Sequence, residues 1–293
     1  MKTSKRVRNR KHSAGFYLFF IPVLLWILFF FVLPQIGLMV LSLQGNDYYG
    51  EMGFTLKNYT NFFQERVYWL TYVRTAVISL IVTFITMVIA LPVAFYISKI
   101  AKPKNKGFLM MMALVPFWVS GLVRIYGIMT LLRESGVINR IFLNMGLLQE
   151  PLQMLFNDRA IIFTFVYTNI LFMLVPIIGV MDTLDDSLIE AAYDLGAKKL
   201  VIWRQIILPH CISGITSGCI VVFMLVTGSY VTPTLIGGKN SLWFTQQIYN
   251  QFIHYFNWNQ GAAFGFLLLV ISSMVVWAFL KITRQKLSEV MEK

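Results

Sequence analysis

Charge is scarce in this chain. Only 13% of its 293 residues are Asp, Glu, Lys or Arg, about half the ~25% of a typical soluble domain. Acid is scarcer than base, thirteen residues against twenty-five, and every Asp and Glu falls outside the long apolar runs. The three histidines, His12, His210 and His254, lie in a tail, at the edge of an apolar run and in a polar segment. No carboxylate–histidine cluster therefore exists inside a run to relay protons or bind metal, which argues against an intramembrane enzyme. Cys211 and Cys219 share one apolar run and read as packing residues rather than a disulfide or metal pair. A complete phosphate loop is also lacking. In Gly237-Gly238-Lys239-Asn240, Pro233 stands where the earlier glycine belongs, and Asn240 stands in place of Ser or Thr. The chain is therefore expected to bind no cofactor itself, neither ATP nor Mg.

What is abundant is apolar surface: 57% hydrophobic residues, including 25 Phe and 7 Trp. It is concentrated in six runs, 16–43, 75–98, 107–132, 160–181, 210–237 and 261–280, each near the ~20 residues that cross a bilayer. The expected fold is an all-α integral membrane protein with six transmembrane helices. The organisation read from it is a basic tail at 1–15, a first helix at 16–43, an outer segment at 44–74, a five-helix core at 75–280 and a charged tail at 281–293. Lys2, Lys5, Arg6, Arg8, Arg10 and Lys11 followed by an apolar run mimic a signal peptide. That run is far longer than the ~7–15 residues of a signal h-region and lacks an Ala-x-Ala site, so it is read as a retained span. In the outer segment, Asn58 is expected to cap a short amphipathic helix running toward Trp69.

Orientation follows from Lys and Arg. Seventeen lie in the two tails, in 99–106 and around 198–204, whereas seven lie in the alternate segments. By the positive-inside rule both termini are cytoplasmic. The same distribution explains most of the net charge of +12 without nucleic acid as a partner. Membrane lipid is the expected surroundings, with Trp69, Trp243 and Trp258 fitting an outer aromatic belt.

One polar, helix-forming insert, 182–209, lies between two apolar runs on the cytoplasmic side. Ser187-x-x-Glu190 has the form of a capping box and predicts a helix start at Ser187. Ala191 and Ala192 are good helix formers with little bulk. Gly196 can take positive φ and end that helix. A second helix is expected from Ala197 to Ile207, stopped or bent by Pro209. Glu190-Ala191-Ala192, Gly196 and Ile206-x-Leu208-Pro209 together resemble the EAA loop of permeases of ABC importers, with the full spacing. Asp194 lies within the same stretch. The resemblance implies that these residues dock into a separate cytoplasmic ATPase. It further implies a type I importer fold in the bacterial cytoplasmic (inner) membrane, a second permease subunit forming a heterodimer, two copies of the ATPase that uses ATP and Mg, and an extracytoplasmic solute-binding protein.

A second resemblance lies in Val115-Pro116-Phe117-Trp118-x-Ser120-x-Leu122-x-Arg124-Ile125-Tyr126, in Thr232-Pro233-x-Leu235-Ile236-Gly237-Gly238, and in Asn257-Trp258-x-x-Gly261. These segments are similar to the spermidine/putrescine permease group, and imply a polyamine as cargo. Without carboxylates in the runs, a cation path would use aromatic faces, hydroxyls, amides or carbonyls. Phe117, Trp118, Ser120, Tyr126, Asn169, Tyr230 and Trp243 are the candidates, each weighed against simple packing. Arg124 is the one ionisable residue well inside a run. Counted along a straight helix from Gly107 it falls ~26 Å up, near the outer boundary, as a snorkelling residue or as a structural or gating contact. Alternatives are an importer of another small organic solute, an energy-independent channel, and a scaffold that only recruits a partner.

Overall fold

A computed structural model describes residues 14–46, 52–238 and 241–283. The basic residues before Ala14, residues 47–51, Lys239, Asn240 and residues 284–293 lie outside the described residues. The first apolar run forms α1 (Ala14–Ile27), a π turn at Leu28–Val32 and α2 (Leu33–Ser42). Pro34 explains the π turn. Its ring crowds the carbonyl four residues back and its nitrogen donates nothing, so the preceding turn loosens and the Leu33 N–H reaches back to the Leu28 carbonyl. The run packs on the last helix through α2. Trp26, Phe29, Phe30 and Phe31 stay exposed.

A hairpin follows, β1 (Gln44–Asn46) antiparallel to β2 (Met52–Phe54), with Gly45 opposite Gly53. Next comes α3 (Lys57–Gln64). Asn58 is not its cap. It lies inside the first turn, buried, and its side-chain amide donates to the carbonyls of Ser42 and Gln44, each at 2.9 Å, tethering α3 to the end of α2. Nor does α3 run on toward Trp69, because Glu65 is extended (ψ 110°) and separates it from α4 (Arg66–Phe95). Arg66–Arg74 therefore belongs to the second long helix rather than to a loop. A π turn at Tyr96–Ile100 ends that helix.

One face of α4 is small and hydroxylated: Thr71, Thr75, Ser79, Thr83 and Thr86 are buried, followed by Ala90 and Ala94. Each hydroxyl from Thr75 onward bonds the carbonyl four residues earlier at 2.7–2.8 Å. The stripe is thus satisfied within its own helix and permits close packing against α8 (Asp158–Met181) and α12 (Ile212–Thr227). The Asn157 side chain caps α8 by accepting the Ala160 N–H at 2.9 Å. Glycines bring α8 and α12 together. A Cβ on Gly214 would meet the Pro176 carbonyl oxygen at 2.5 Å, and one on Gly218 would meet the Met173 Cα at 3.1 Å.

Two expected spans are broken. The third consists of α5 (Pro103–Leu114), a 3-10 turn at Val115–Trp118 and α6 (Gly121–Leu132), with α7 (Val137–Asn144) beyond. Pro116 sits in the tightened turn, Val119 and Ser120 have the open ψ values 133° and 141°, and the two halves meet at 90°. The straight-helix depth assigned to Arg124 therefore does not apply. In the fifth, α9 (Asp186–Asp194) precedes α10 (Lys199–Ile202), a π turn at Trp203–Ile207 and α11 (Leu208–His210). After Cys211 the chain bends by 68° into α12. α12 ends at Gly228 and α13 (Val231–Ile236) follows, so 210–237 is not one helix. α14 (Phe244–Tyr249), a π turn at Asn250–His254 and α15 (Trp258–Thr283) complete the described chain. Among the described residues four helices are long and apolar enough to cross a membrane, or up to six if each bent pair is one span.

Ion pairs mark both ends of α8. Arg74 meets Asp158 at 2.5 Å at one end, and Lys106 meets Asp182 at 2.6 Å just past the other. Asp158 to Asp182 along a helix is roughly 36 Å at 1.5 Å per residue, enough to span a hydrocarbon core of ~30 Å.

The packing predicts that Gly214→Val lowers the thermal midpoint of the purified protein, on the scale of about 1–3 kcal/mol for overpacking. Gly107→Ala, with nothing within 4 Å of the added Cβ, should leave it unchanged. Equal midpoints for Gly214→Val and the unaltered protein would remove the close α8–α12 approach from the account.

Candidate functional site

The insert 182–209 folds into two helices joined at glycine, and its start is set by a residue other than Ser187. Asp185 is the N-cap of α9, accepting the Ser187 N–H at 3.0 Å, and that hydrogen bond holds its carboxyl below the ordinary carboxylate range. α9 then ends in a Schellman pair: the Gly196 N–H donates to the Tyr193 carbonyl at 2.9 Å and the Ala197 N–H to the Ala192 carbonyl at 3.0 Å. Gly196 sits at φ +79° with open space around its Cα, so conformation rather than crowding requires glycine there. Helix resumes at Lys199, later than expected, and runs through Pro209 to His210. Pro209 loosens the turn before it, where the Leu208 N–H reaches the Trp203 carbonyl, as Pro34 does in the first run.

The element is held to the bundle by a lysine. Lys99, whose side chain is only 7% exposed, lies 2.7 Å from the Asp186 carboxylate and also donates to the Leu184 carbonyl at 2.5 Å. The Lys106–Asp182 pair adds a second tie, and Phe95 packs on Trp203 with ring centroids 4.9 Å apart. His210 Nε2 lies 3.1 Å from Thr183 Oγ1 and 3.2 Å from the Val180 carbonyl oxygen, joining the two ends of the insert. Beneath α9 a cleft of about 380 Å³ is lined by Lys99, Asp186, Glu190, Tyr193, Lys199 and Trp203.

The outward surface of this element combines charge with unburied leucine. Glu190, Ala191, Asp194, Gly196 and Pro209 are exposed, while Ala192, Ile206 and Leu208 are half-buried. Leu195 is 88% exposed and Leu200 79%, one on each side of Gly196. In a polar loop, two such leucines flanking a fixed bend form an adhesive ridge that a protein partner would cover. Sequence reasoning missed the anchors Lys99, Lys106, Asp182, Asp185 and Asp186. The signal was present as opposite charges on the two turns, but Lys99 and Lys106 had been used only to set orientation.

The proposed path residues do not form one cluster. Phe117, half-buried, packs on Phe172 with centroids 5.0 Å apart, and the Arg124 guanidinium lies 4.5 Å above the Phe117 ring centre. Arg124 Nη1 donates to the Thr168 carbonyl at 3.2 Å, so this side chain ties α6 to α8 instead of reaching outward along its own helix. Asn169, on the same turn of α8, is buried and donates to the Phe165 carbonyl at 2.9 Å. Trp118 (82% exposed), Ser120 and Tyr126 lie open at or beside the break. Tyr230 stacks on Tyr249 at 4.5 Å. Trp243 is fully buried against Phe165, which takes it out of any lipid-facing aromatic belt, whereas Trp69 and Trp258 remain exposed. Cys211 and Cys219 are buried free thiols, with Cys219 Sγ 4.0 Å from the Met87 sulfur. Among the described residues no group of His, Cys, Asp and Glu has the makings of a metal site.

Comparison with known proteins gives a consistent picture. Residues 80–288 match the family model described as binding-protein-dependent transport system inner membrane component. The spermidine/putrescine transport system permease protein PotB of Haemophilus influenzae is 32% identical over 87% of this chain and 89% of its own length. That of Escherichia coli K12 is 31% identical over 88% and 94%. A crystal structure of a bacterial alginate ABC transporter in complex with an alginate pentasaccharide-bound periplasmic protein has a chain of the same fold, with TM-score 0.75 at 16% identity, covering 92% of this chain and 96% of that one.

The anchoring geometry predicts that Lys99→Met speeds amide exchange across 184–195 roughly tenfold, the effect of losing one charge-assisted hydrogen bond of about 1.5 kcal/mol. Exchange at α15 should not change. Equal exchange at 184–195 in both proteins would show that Lys99 does not hold α9.

Proposed function

Because the chain belongs to the family of binding-protein-dependent transport system inner membrane components, and is a permease component rather than an enzyme, we propose that it carries spermidine and putrescine inward across the cytoplasmic membrane. In this reading it works beside a second permease subunit, with two copies of a cytoplasmic ATPase that consume ATP and Mg and a solute-binding protein outside. Each bent helix pair counts as one span, giving six spans with both termini in the cytoplasm. The α9 end of the bundle then faces the ATPase.

The observation that carries the coupling is the exposed ridge of Leu195 and Leu200 around the φ +79° bend at Gly196, standing on an element tied by Lys99 to the end of α4. An ATPase surface that covers those leucines gains apolar burial and grips a rigid hook. When the ATPase dimer closes, α9 and the 199–210 helix move as one body. That movement passes through Lys99 to α4 and through the bend at Cys211 to α12, switching the spans between two accessible states. The chain's contribution to transport is mechanical and positional, and the hydrolysis is the partner's.

The decisive measurement is uptake of labelled spermidine and putrescine in cells without their own polyamine uptake, given this chain and its native neighbouring subunits. Uptake that requires both this chain and ATP is expected. An assembled complex that hydrolyses ATP yet moves neither compound would sink the polyamine assignment. Gly196→Val should reduce uptake at least tenfold while the chain still inserts, since a β-branched residue in the left-handed region costs about 1–2 kcal/mol and displaces the hook. Undiminished uptake in that variant would refute the lever.

A further inference from the structure

A guanidinium stands near the middle of the bundle without a counter-charge. Arg124 reaches the Thr168 carbonyl, and Thr168 lies about 15 Å along α8 from Asp158 at 1.5 Å per residue, near the centre of the hydrocarbon layer. Among the described residues its side chain makes one hydrogen bond, to this carbonyl at 3.2 Å, and one ring contact, to Phe117. The buried Nε has no hydrogen-bond partner. Among the described residues the ion pairs are Arg74–Asp158, Lys99–Asp186 and Lys106–Asp182, and none includes Arg124. A guanidinium has five N–H donors and no acceptor, and a cation at this depth is costly unless it is paired or wet. Lipid phosphate is out of reach, because the side chain is folded against α8 at half depth instead of extending toward a surface.

The surface beside it lacks a cover. Trp118, Val119, Leu122 and Val123 are all exposed at the 90° break and the start of α6, where the chain is extended at Val119–Ser120 and non-helical backbone at membrane depth needs cover by protein or water. We propose that this break is where the second permease subunit seats, and that a carboxylate from one of its spans pairs with Arg124. The proposal rests on the two-permease reading above. It also selects the kind of subunit: a second copy of this chain has no acid at mid-depth, since its Asp and Glu lie outside the apolar runs. The partner is therefore a different chain with an acidic residue inside a span. Charge complementarity then favours the heteromeric pair over a homodimer, because two copies would bring two unpaired guanidinium groups to the membrane interior.

The test uses the complex coexpressed with its native subunits and captured through the second permease. Arg124→Glu should lower the recovered amount of this chain at least fivefold at equal membrane levels, with Arg124→Lys retaining more than Arg124→Gln. Replacing the matching span carboxylate of the second permease by Lys should restore capture of Arg124→Glu. Separately, Val123→Cys on the otherwise native chain, treated with a short bifunctional maleimide and a cysteine scan of the partner's spans, should cross-link to the second permease. This arm decides the matter if Arg124→Glu does not accumulate. Cross-linking only to a second copy of this chain, no cross-link to the second permease, or failure of every carboxylate reversal to restore an accumulating Arg124→Glu chain would each overturn the proposal. The readout is assembly, so a complex that pairs as expected but transports no polyamine would defeat the cargo assignment alone.

Discussion

In hydrocarbon, a polar group with no partner inside the protein has none at all, and that constraint organises this chain. The buried stripe on α4 is hydroxylated, yet each of its hydroxyls from Thr75 to Thr86 returns a hydrogen bond to its own helix. Thr75 also accepts the Phe244 N–H at 2.9 Å, so one hydroxyl closes the accounts of two elements. The ion pairs obey the same rule by lying at the ends of the spans, where water and headgroups share the cost. Ser213, Thr227 and Trp243 leave neutral buried groups without a partner, and Arg124 departs from the rule with a charged one. Real proteins break such rules at places where a site or a partner compensates.

The 182–209 loop is stiff by construction rather than by burial. Its surface is largely exposed, and its shape is held by a capped start, a Schellman end at glycine and a nearly buried lysine that ties it back to the neighbouring turn. A connector that transmits force needs this arrangement: tight internal bonds, a firm root in the bundle and a free face. The close α8–α12 contact at Gly214 and Gly218 extends the stiffness into the spans, because helices packed at glycine distance slide or tilt together.

Much of this was legible in the sequence. The apolar runs gave the long helices, and Glu190 through Pro209 gave the bent pair at Gly196, since glycine past a helix end has a strong conformational meaning. The misses have physical causes. Ser187 was assigned the cap because its spacing to Glu190 fits a capping box, but Asp185 has the stronger acceptor and won. Asn58 has the right chemistry for a cap and was instead spent on the Ser42 and Gln44 carbonyls, a tertiary contact that local pattern does not reveal. Pro116 already marked a possible break or kink in the third run, but the bend at Cys211 was hidden because hydropathy is blind to direction: a run that turns by 68° is as apolar as a straight one. Trp243 was placed at a lipid interface by its type, yet its surroundings form only when the loop after α13 folds back on α8.

The π turns carry a consequence for reading any such chain. A π turn adds a residue to the helix and so rotates everything after it by about 100°. Across 28–32 and 203–207, where helix continues on both sides, the apolar face before the turn and the face after it are out of register by that angle. Each of these segments behaves like a single-residue insertion absorbed without a loop. In the 199–210 helix this lets Ile202 and Ile207, five positions apart, both point into the protein interior, a spacing that an unbroken α-helix would spread over separate faces. Aligning helix faces between permeases by a fixed 3.6-residue period would therefore pair the wrong side chains beyond every such turn.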